Sequence, residues 1–507
     1  MRVLGDLSRL SARRQPHKQA MVMGDEALTF AEIDRNSNQL AHALLGLGVQ
    51  PGDRVALLAQ NRLDYVVVSQ AVAKCGAILV PISFRFAPAE IGYVLSDAEP
   101  KVLFAEPEFD APVREALRTL ATEPAVVGLA AEGTGAFAGS YPATQPEVSV
   151  EPASAAAIMY TSGTTGFPKG VLYSHTMYLR LYDAQTVEGD IDRDDVIHVA
   201  MPMFHNAGLN GALNQALLVG ATGVVHRGSF DSETVLASIE RYRITLAVWV
   251  PTMFTILADR AADRRYDLSS LKKIFYGGMP ITPEGYAQAK RMFSARLYQF
   301  YGSTEAGPIG VLRPEDHERW CETTGREVYN CESRIVDDRG RDVPVGGVGE
   351  VIVRAATSGM IGYWRNERAT RETMRDGWIH TGDLARVEPE GFFTVVDRKS
   401  DLIISGAENI YPKEVEAVLS LHPAVREVAV FGIPDPKYGE AVCAAISLRP
   451  GAALTAEEVE AFCVERLARF KRPRRIDFHD ELPKNAAGKI VKTRLRRPYW
   501  EGRNRSI

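Results

Sequence analysis

Residues 160–171 read YTSGTTGFPKGV. Thr161, Ser162, Thr164 and Thr165 offer hydroxyl donors. Gly163, Gly166 and Gly170 permit tight turns that aim backbone N–H groups at a ligand, and Lys169 adds a cation. This is the chemistry of a phosphate cradle. It is not the Walker loop. Counted from Gly163, the second glycine of G-x-x-x-x-G-K-[ST] is replaced by Pro168, and the hydroxyl after the lysine by Gly170. Neither the helix-opening glycine nor the magnesium-ligating hydroxyl is present, which excludes a P-loop kinase or GTPase. On this stretch alone a polar surface loop without a ligand stays open.

Ala156–Tyr160 (AAIMY) supplies an apolar strand directly before the loop. Further out the chain alternates short apolar runs with helical patterns, the signature of layered α/β structure. Strands are expected at Arg54–Ala59, Ala77–Ile82, Lys101–Ala105, Val196–Ala200, Gly223–His226 and Thr245–Val250, with a helix at Asp64–Gly76. Residues 119–150, rich in Ala, Gly, Pro and Glu, read as a variable surface connection. From 330 to 400 alternating segments separated by glycines (Glu332–Asp337, Glu350–Arg354, Phe392–Val396) predict a small β-rich subdomain. Beyond a boundary near Asp397–Asp401, helical patterns at Pro412–Leu419 and Ala456–Leu467 and strands at Val425–Gly432 and Ala441–Leu448 form a separate compact unit. Domain interfaces of this kind often allow relative motion.

A chain of 507 residues is too long for one ordinary domain. Its 46% apolar and 24% charged content is that of a globular protein. The net charge of −5 gives no reason to expect nucleic-acid binding. The five cysteines are scattered without C-x-x-C spacing, which argues for a reducing compartment and against a disulfide framework or zinc site. No membrane span is expected: the longest apolar run, Leu246–Leu257, contains Pro251 and Thr252. The N-terminal stretch lacks the apolar segment of a signal peptide, so the cytoplasm is the expected location.

Four further stretches combine polar chemistry with tight turns. In Tyr298–Gly307 (YQFYGSTEAG) the pair Thr304–Glu305 offers hard oxygen ligands of the kind magnesium prefers. A helix cap with Glu305 as capping partner would use the same residues. In His380–Leu384 (HTGDL), Asp383 can accept bonds from both hydroxyls of a ribose, or simply occupy a glycine turn. Asp397–Pro412 (DRKSDLIISGAENIYP) carries Arg398, able to reach ribose or phosphate oxygens, within what also reads as a solvated linker. Pro483–Lys492 (PKNAAGKIVK) holds Lys489 after a glycine, where a lone lysine is ordinarily a solvated charge.

In this order and spacing the five stretches resemble the adenylate-forming superfamily of acyl- and aryl-CoA synthetases, peptide-synthetase adenylation domains and firefly luciferase. The resemblance runs from about Ala20 to Arg496 and is nearest to bacterial fatty-acyl- and aryl-CoA ligases. It implies an α/β fold: a large N-terminal domain (1–397) of layered αβ subdomains plus a β-barrel-like subdomain, and a small mobile α+β C-terminal domain (398–507).

The resemblance also implies roles. The quoted loop would hold the β- and γ-phosphates of ATP. Tyr276–Pro280 (YGGMP, with Gly277 and Gly278), Tyr301 and Gly302 would line the adenine and acyl-phosphate region. Thr304 would contact the α-phosphate, Glu305 would ligate Mg2+, and Asp383 with Arg398 would bind the ribose. Lys489 would bridge the attacking carboxylate and the α-phosphate. His205, in PMFHNAGL, would sit at the mouth of an acyl pocket walled by Trp249, Val250, Met253 and Gly278, with Phe254, Asn206 and Asn210 as further candidates. CoA would be the acceptor, with Gly406 beside its pantetheine.

Two positions depart from the family pattern. Ser400 stands where the hinge ordinarily carries Lys or Asp, and Ala407 makes SGAEN of the usual SGGEN. The adenylation set is complete, and the thioester step is the altered one. The expected reaction is activation of a carboxylic acid (medium- or long-chain, aryl or polycyclic) to acyl-AMP, then transfer to CoA. The alternative is adenylation only, with acyl-AMP passed to a separate ligase or carrier protein. The family's usual assembly is a monomer or homodimer. A non-catalytic scaffold would have lost Lys489, Glu305 or Lys169 first, and all three are present.

Overall fold

The computed structural model describes residues 1–130, 133–161, 168–261, 266–278, 281–405, 408–485 and 489–501. A seven-stranded sheet runs in the order 362–363, 169–174, 155–161, 78–82, 54–58, 102–105, 125–128. A nine-stranded sheet runs 326–327, 307–312, 296–303, 273–277, 246–249, 196–199, 222–225, 19–23, 26–29. Both are parallel in the middle and antiparallel at an edge. Parallel centres need helical crossovers on both faces, so their strands are nearly continuous apolar runs.

The side-chain period of two divides each sheet between two cores. Leu57, Leu79, Ala157 and Val171 of the smaller sheet and Ile197, Leu246, Phe275 and Val311 of the larger one enter a shared core between the sheets. Ala56, Leu58 and Val80 turn outward beneath the helices Pro88–Ala98 and Asp110–Leu117. On the far side of the larger sheet, Trp249 and Tyr276 turn outward beneath Ser232–Tyr242, Pro251–Ala261 and Pro283–Met292, where Phe293 joins them from the end of the last helix. The Leu246–Leu257 run is a buried strand followed by a helix that opens on Pro251, where the missing N–H is no loss.

The β-rich subdomain is a five-stranded antiparallel sheet of 333–336, 348–354, 378–387, 374–375 and 393–398. Among the described residues the C-terminal unit is a further five-stranded sheet, with 403–405, 408–410, 425–435, 439–448 and 475–478, and three α-helices. The expected strands are found within one or two residues of their predicted ends, except Val425–Gly432, which extends to Asp435. The predicted helix to Leu467 ends at Val464. Residues 119–150 are more than a surface connection: Ala125–Gly128 adds a parallel edge strand and Gly133–Ala138 a helix. An exposed four-residue edge strand needs no apolar alternation, so its composition did not betray it.

Two histidines lie in these cores with no exposed surface, His175 and His198. Burial drops their pKa values to about 4 and about 3. The unfolded chain therefore binds more protons than the folded one below about pH 6.5, so stability is lost as pH falls toward 4. Between pH 7 and pH 5 the two together are expected to remove roughly 3–4 kcal/mol of unfolding free energy. Urea midpoints at the two pH values measure it; unchanged midpoints would contradict the buried neutral state.

Candidate active site

The quoted loop joins the antiparallel strands Ala155–Thr161 and Lys169–Ser174. Thr161 and Lys169 face one another in register, and the Thr161 hydroxyl reaches the Lys169 carbonyl at 3.5 Å. The connection is thus strand-to-strand, unlike the strand-to-helix loop of a Walker site. Ser162, Gly163, Thr164, Thr165 and Gly166 lie outside the described residues, as do Met279, Pro280, Gly406 and Ala407.

Thr304 and Glu305 occupy a hairpin turn between Arg296–Ser303 and Gly307–Leu312. The turn excludes the helix-cap reading, because the chain reverses there as β-structure. One Glu305 oxygen accepts from the Tyr363 hydroxyl at 3.1 Å. Beside this hairpin Gly277 approaches Phe300 so closely that a Cβ would lie 2.3 Å from its carbonyl oxygen. Gly278 has φ +78°, and a Cβ there would meet only Val250 Cγ1, at 3.9 Å. These two contacts explain the paired glycines and bring Gly278 and Val250 together.

Asp383 lies in the strand Trp378–Val387, opposite Arg398 in register. Its carboxylate is 5% exposed as a residue and fully engaged: Tyr301 Oη donates at 2.7 Å and Arg398 Nε at 2.7 Å. Burial opposes the Arg398 charge, but the carboxylates of Asp383 and Glu305 more than offset it and raise its pKa. The glycine-turn reading thus gives way to a strand position with a charged partner.

Lys489 reaches this cleft from the C-terminal unit. Its backbone is closed against Asn485, with Lys489 N donating to Asn485 Oδ1 at 2.9 Å and Asn485 N to the Lys489 carbonyl at 2.8 Å. The side chain keeps solvent access yet is walled by protein, and that desolvation lowers its pKa; Arg398 repels it further while Asp383 opposes the shift. His205 also keeps an accessible edge. Its pKa falls to about 4, through desolvation first and the Lys489 charge second. Its Nδ1 accepts from Ala207 N at 3.3 Å, so the neutral ring carries its proton on Nε2 as a donor.

The acyl-wall candidates divide. Val250 and Met253 are half-buried. Trp249 is not a pocket wall: it is 1% exposed, its indole N–H donates to His198 Nδ1 at 3.2 Å, and its ring packs on Phe230, Phe254 and Phe293. Phe254 is buried beside it, and the Tyr276 ring also faces that core, its hydroxyl 2.9 Å from His317. Strand alternation turns residues 247 and 249 away from the inter-sheet side, a parity that a continuous apolar run does not reveal. Asn210 is buried, donating to Asn206 at 2.7 Å and accepting from Tyr182 at 2.6 Å.

At the joint between the units, Lys399 N donates to the Gly382 carbonyl at 2.7 Å and its ammonium reaches Asp338 at 2.9 Å and Glu350 at 3.4 Å. One residue on, the Ser400 carbonyl accepts from Arg496 of the last helix at 3.3 Å. Sequence reasoning passed over Tyr363 and Trp364, although an aromatic pair directly after Gly362 was a visible signal.

Residues 9–364 match the model of the AMP-binding enzyme family, and residues 414–489 match the AMP-binding enzyme C-terminal domain. The chain is 38% identical over 490 residues to a feruloyl-CoA synthase of Amycolatopsis sp., covering 96% of this chain and 97% of the relative. It is 35% identical over 505 residues to the fatty acid–[acyl-carrier-protein] ligase ScoC of Streptomyces coeruleorubidus, covering 98% and 96%. Among solved structures, the anthranilate CoA ligase AuaEII in complex with anthranoyl-AMP superposes with a TM-score of 0.88 at 29% identity, covering 98% and 97%. Among the described residues no helix is long and apolar enough to cross a membrane. Both halves of the chain match in order, and the cleft between them holds Asp383, Arg398 and Lys489 together: the chain belongs to the AMP-binding enzymes, the adenylate-forming superfamily.

Proposed function

We propose that this enzyme is an ATP-dependent, AMP-forming acid–CoA ligase acting on ring-bearing carboxylic acids. The single observation that carries the reading is the meeting of Lys489 with Asp383, Arg398 and His205 in one cleft. A carboxylate and the α-phosphate of ATP repel one another. The Lys489 ammonium neutralises that repulsion where charge develops, the kind of electrostatic contribution that commonly dominates catalysis. No general base is required, because a carboxylic acid is already ionised near pH 7. A carboxylate oxygen forms the bond to the α-phosphorus, the α–β bridging bond breaks, and pyrophosphate leaves with its electron pair. The CoA thiolate then forms the thioester at the acyl carbon and AMP leaves.

Asp383 orients the ribose, with Arg398 exchanging its carboxylate partner for ligand oxygens. His205, neutral, offers its Nε2–H to the acyl carboxylate. The Glu305 carboxylate and the Thr304 hydroxyl are hard oxygen donors in one half-buried turn. Among the described residues no cluster of three His, Cys, Asp or Glu could hold a metal alone. That set fits Mg2+, which takes one or two carboxylates plus substrate phosphates, and magnesium bound there would supply charge neutralisation on the phosphates. The chain divides at 397/398, and Ser400, tied by its neighbours to both units, is the pivot.

Ring-bearing acids are favoured by the likeness to a feruloyl-CoA synthase and an anthranilate CoA ligase. Transfer to an acyl carrier protein is the second reading, favoured by the likeness to ScoC over nearly the whole chain. Pyrophosphate release and product mass, with ATP, magnesium and aryl and fatty acids, with and without CoA, separate the two. Aryl-CoA plus AMP is expected. Acyl-AMP that accumulates with CoA present and is discharged by a carrier protein would replace the first reading with the second.

A further inference from the structure

The segment around Gly362–Tyr363 lies between the two halves of the phosphate side of the site. It pairs antiparallel with Lys169–Ser174, Tyr363 opposite Val171 and Gly362 opposite Leu172. Backbone bonds fasten it on both flanks: Met360 N donates to the Glu305 carbonyl at 2.7 Å, Ile361 N to Leu172 at 2.8 Å, and Trp364 N to Gly170 at 2.8 Å. The Trp364 indole N–H anchors the end of the segment on the Asp97 carbonyl at 3.0 Å. Tyr363 is therefore held by backbone and neighbours, independently of the two charged side chains it touches.

Those two are of opposite sign. The Tyr363 hydroxyl donates to Glu305 Oε1 at 3.1 Å. The Lys169 ammonium lies 5.4 Å from the centre of the same ring. A lysine and a glutamate brought to one ligand site attract each other, and a direct ion pair would consume the carboxylate oxygens that a cation needs and the ammonium that a phosphate needs. The ring face offers the ammonium a weaker resting place. The hydroxyl fixes the carboxylate on one oxygen and leaves the other free of this bond, as hydrogen bonds to metal-ligating carboxylates generally do.

We propose that Tyr363 is a positioning residue that keeps Lys169 and Glu305 apart and aims the Glu305 carboxylate at the nucleotide-bound cation. The proposal rests on the reading of Glu305 as the magnesium carboxylate. Its test separates the ring from the hydroxyl. Tyr363→Phe keeps the ring and removes the hydroxyl; Tyr363→Leu removes both. ATP affinity is measured by calorimetry with and without magnesium, together with binding of Mn2+ as a spectroscopic probe in the presence of ATP.

Tyr363→Phe is expected to raise the half-saturating metal concentration about five-fold, leaving metal-free ATP affinity within about two-fold. Tyr363→Leu is expected to raise it further and also to weaken metal-free ATP binding, because Lys169 is then taken by Glu305. Glu305→Gln is the control. If it leaves metal dependence unchanged, the reading of Glu305 fails and this proposal with it. If Glu305→Gln shifts the metal dependence and Tyr363→Phe does not, Tyr363 has no positioning role. Melting temperatures accompany each variant; Tyr363→Phe keeps the ring in place and provides the decisive comparison should Tyr363→Leu fold poorly.

Discussion

Lys489→Ala lowers acyl-adenylate formation by roughly three orders of magnitude, the loss of one preorganised charge at a developing anion. The fold survives, since Lys489 sits on a closed turn with an exposed side chain, and its two backbone bonds to Asn485 do not use the ammonium. Pyrophosphate release with the acid substrate reads the effect. The second half-reaction, from synthetic acyl-AMP and CoA, involves no approach of a carboxylate to a phosphate and is expected to stay within about ten-fold of the parent. Equal losses in both halves would mean that Lys489 acts on folding or domain placement instead. Adenylation at the parental rate would remove it from the mechanism.

Asp383→Ala is the second large effect. The carboxylate is buried and holds both Tyr301 and Arg398, so its removal leaves a hydroxyl and a guanidinium without their partner. On the proposed reading it also removes the acceptor for two ribose hydroxyls. Charge-assisted hydrogen bonds contribute about 1.5–3 kcal/mol each, so losing two should lower kcat/KM for ATP by roughly 10²–10⁴-fold. Most of the loss should appear in KM, because ribose contacts are made equally in ground and transition states. The melting temperature should also drop, since the Tyr301 hydroxyl and the Arg398 guanidinium each lose a hydrogen-bond acceptor. A KM for ATP unchanged from the parent would exclude Asp383 from the nucleotide site, whatever happens to stability.

The difference between the two variants follows from their surroundings. Lys489 is a cation delivered on a loop into a solvent-accessible cleft, and its removal is a local loss. Asp383 is a charge built into a strand, and its removal disturbs the strand opposite through the register with Arg398. Activity alone would not distinguish them; the KM against kcat split and the melting behaviour do.

The amino-acid sequence by itself determined the sheet architecture, because buried parallel strands are uninterrupted apolar runs and the runs at 54–58, 78–82, 196–199 and 246–249 have no other way to bury both faces. It carried the glycines and hydroxyls of the 160–171 loop, the Thr304–Glu305 and Asp383–Arg398 pairs and Lys489, whose order and spacing carry the family resemblance that implies their roles. It left to the tertiary structure every question of facing. Trp249, the last residue of its strand, belongs to a core behind the sheet, while Val250, the residue after it, comes beside Gly278. Tyr363 joins the site from 58 residues beyond Glu305, through a two-residue strand too short to carry a pattern. Lys489 is a solvated charge in its own segment and becomes a cleft residue only where the C-terminal unit meets the N-terminal one. Residue type is local, but proximity between distant segments is set by strand parity, register and domain placement, which arise from packing of the whole chain.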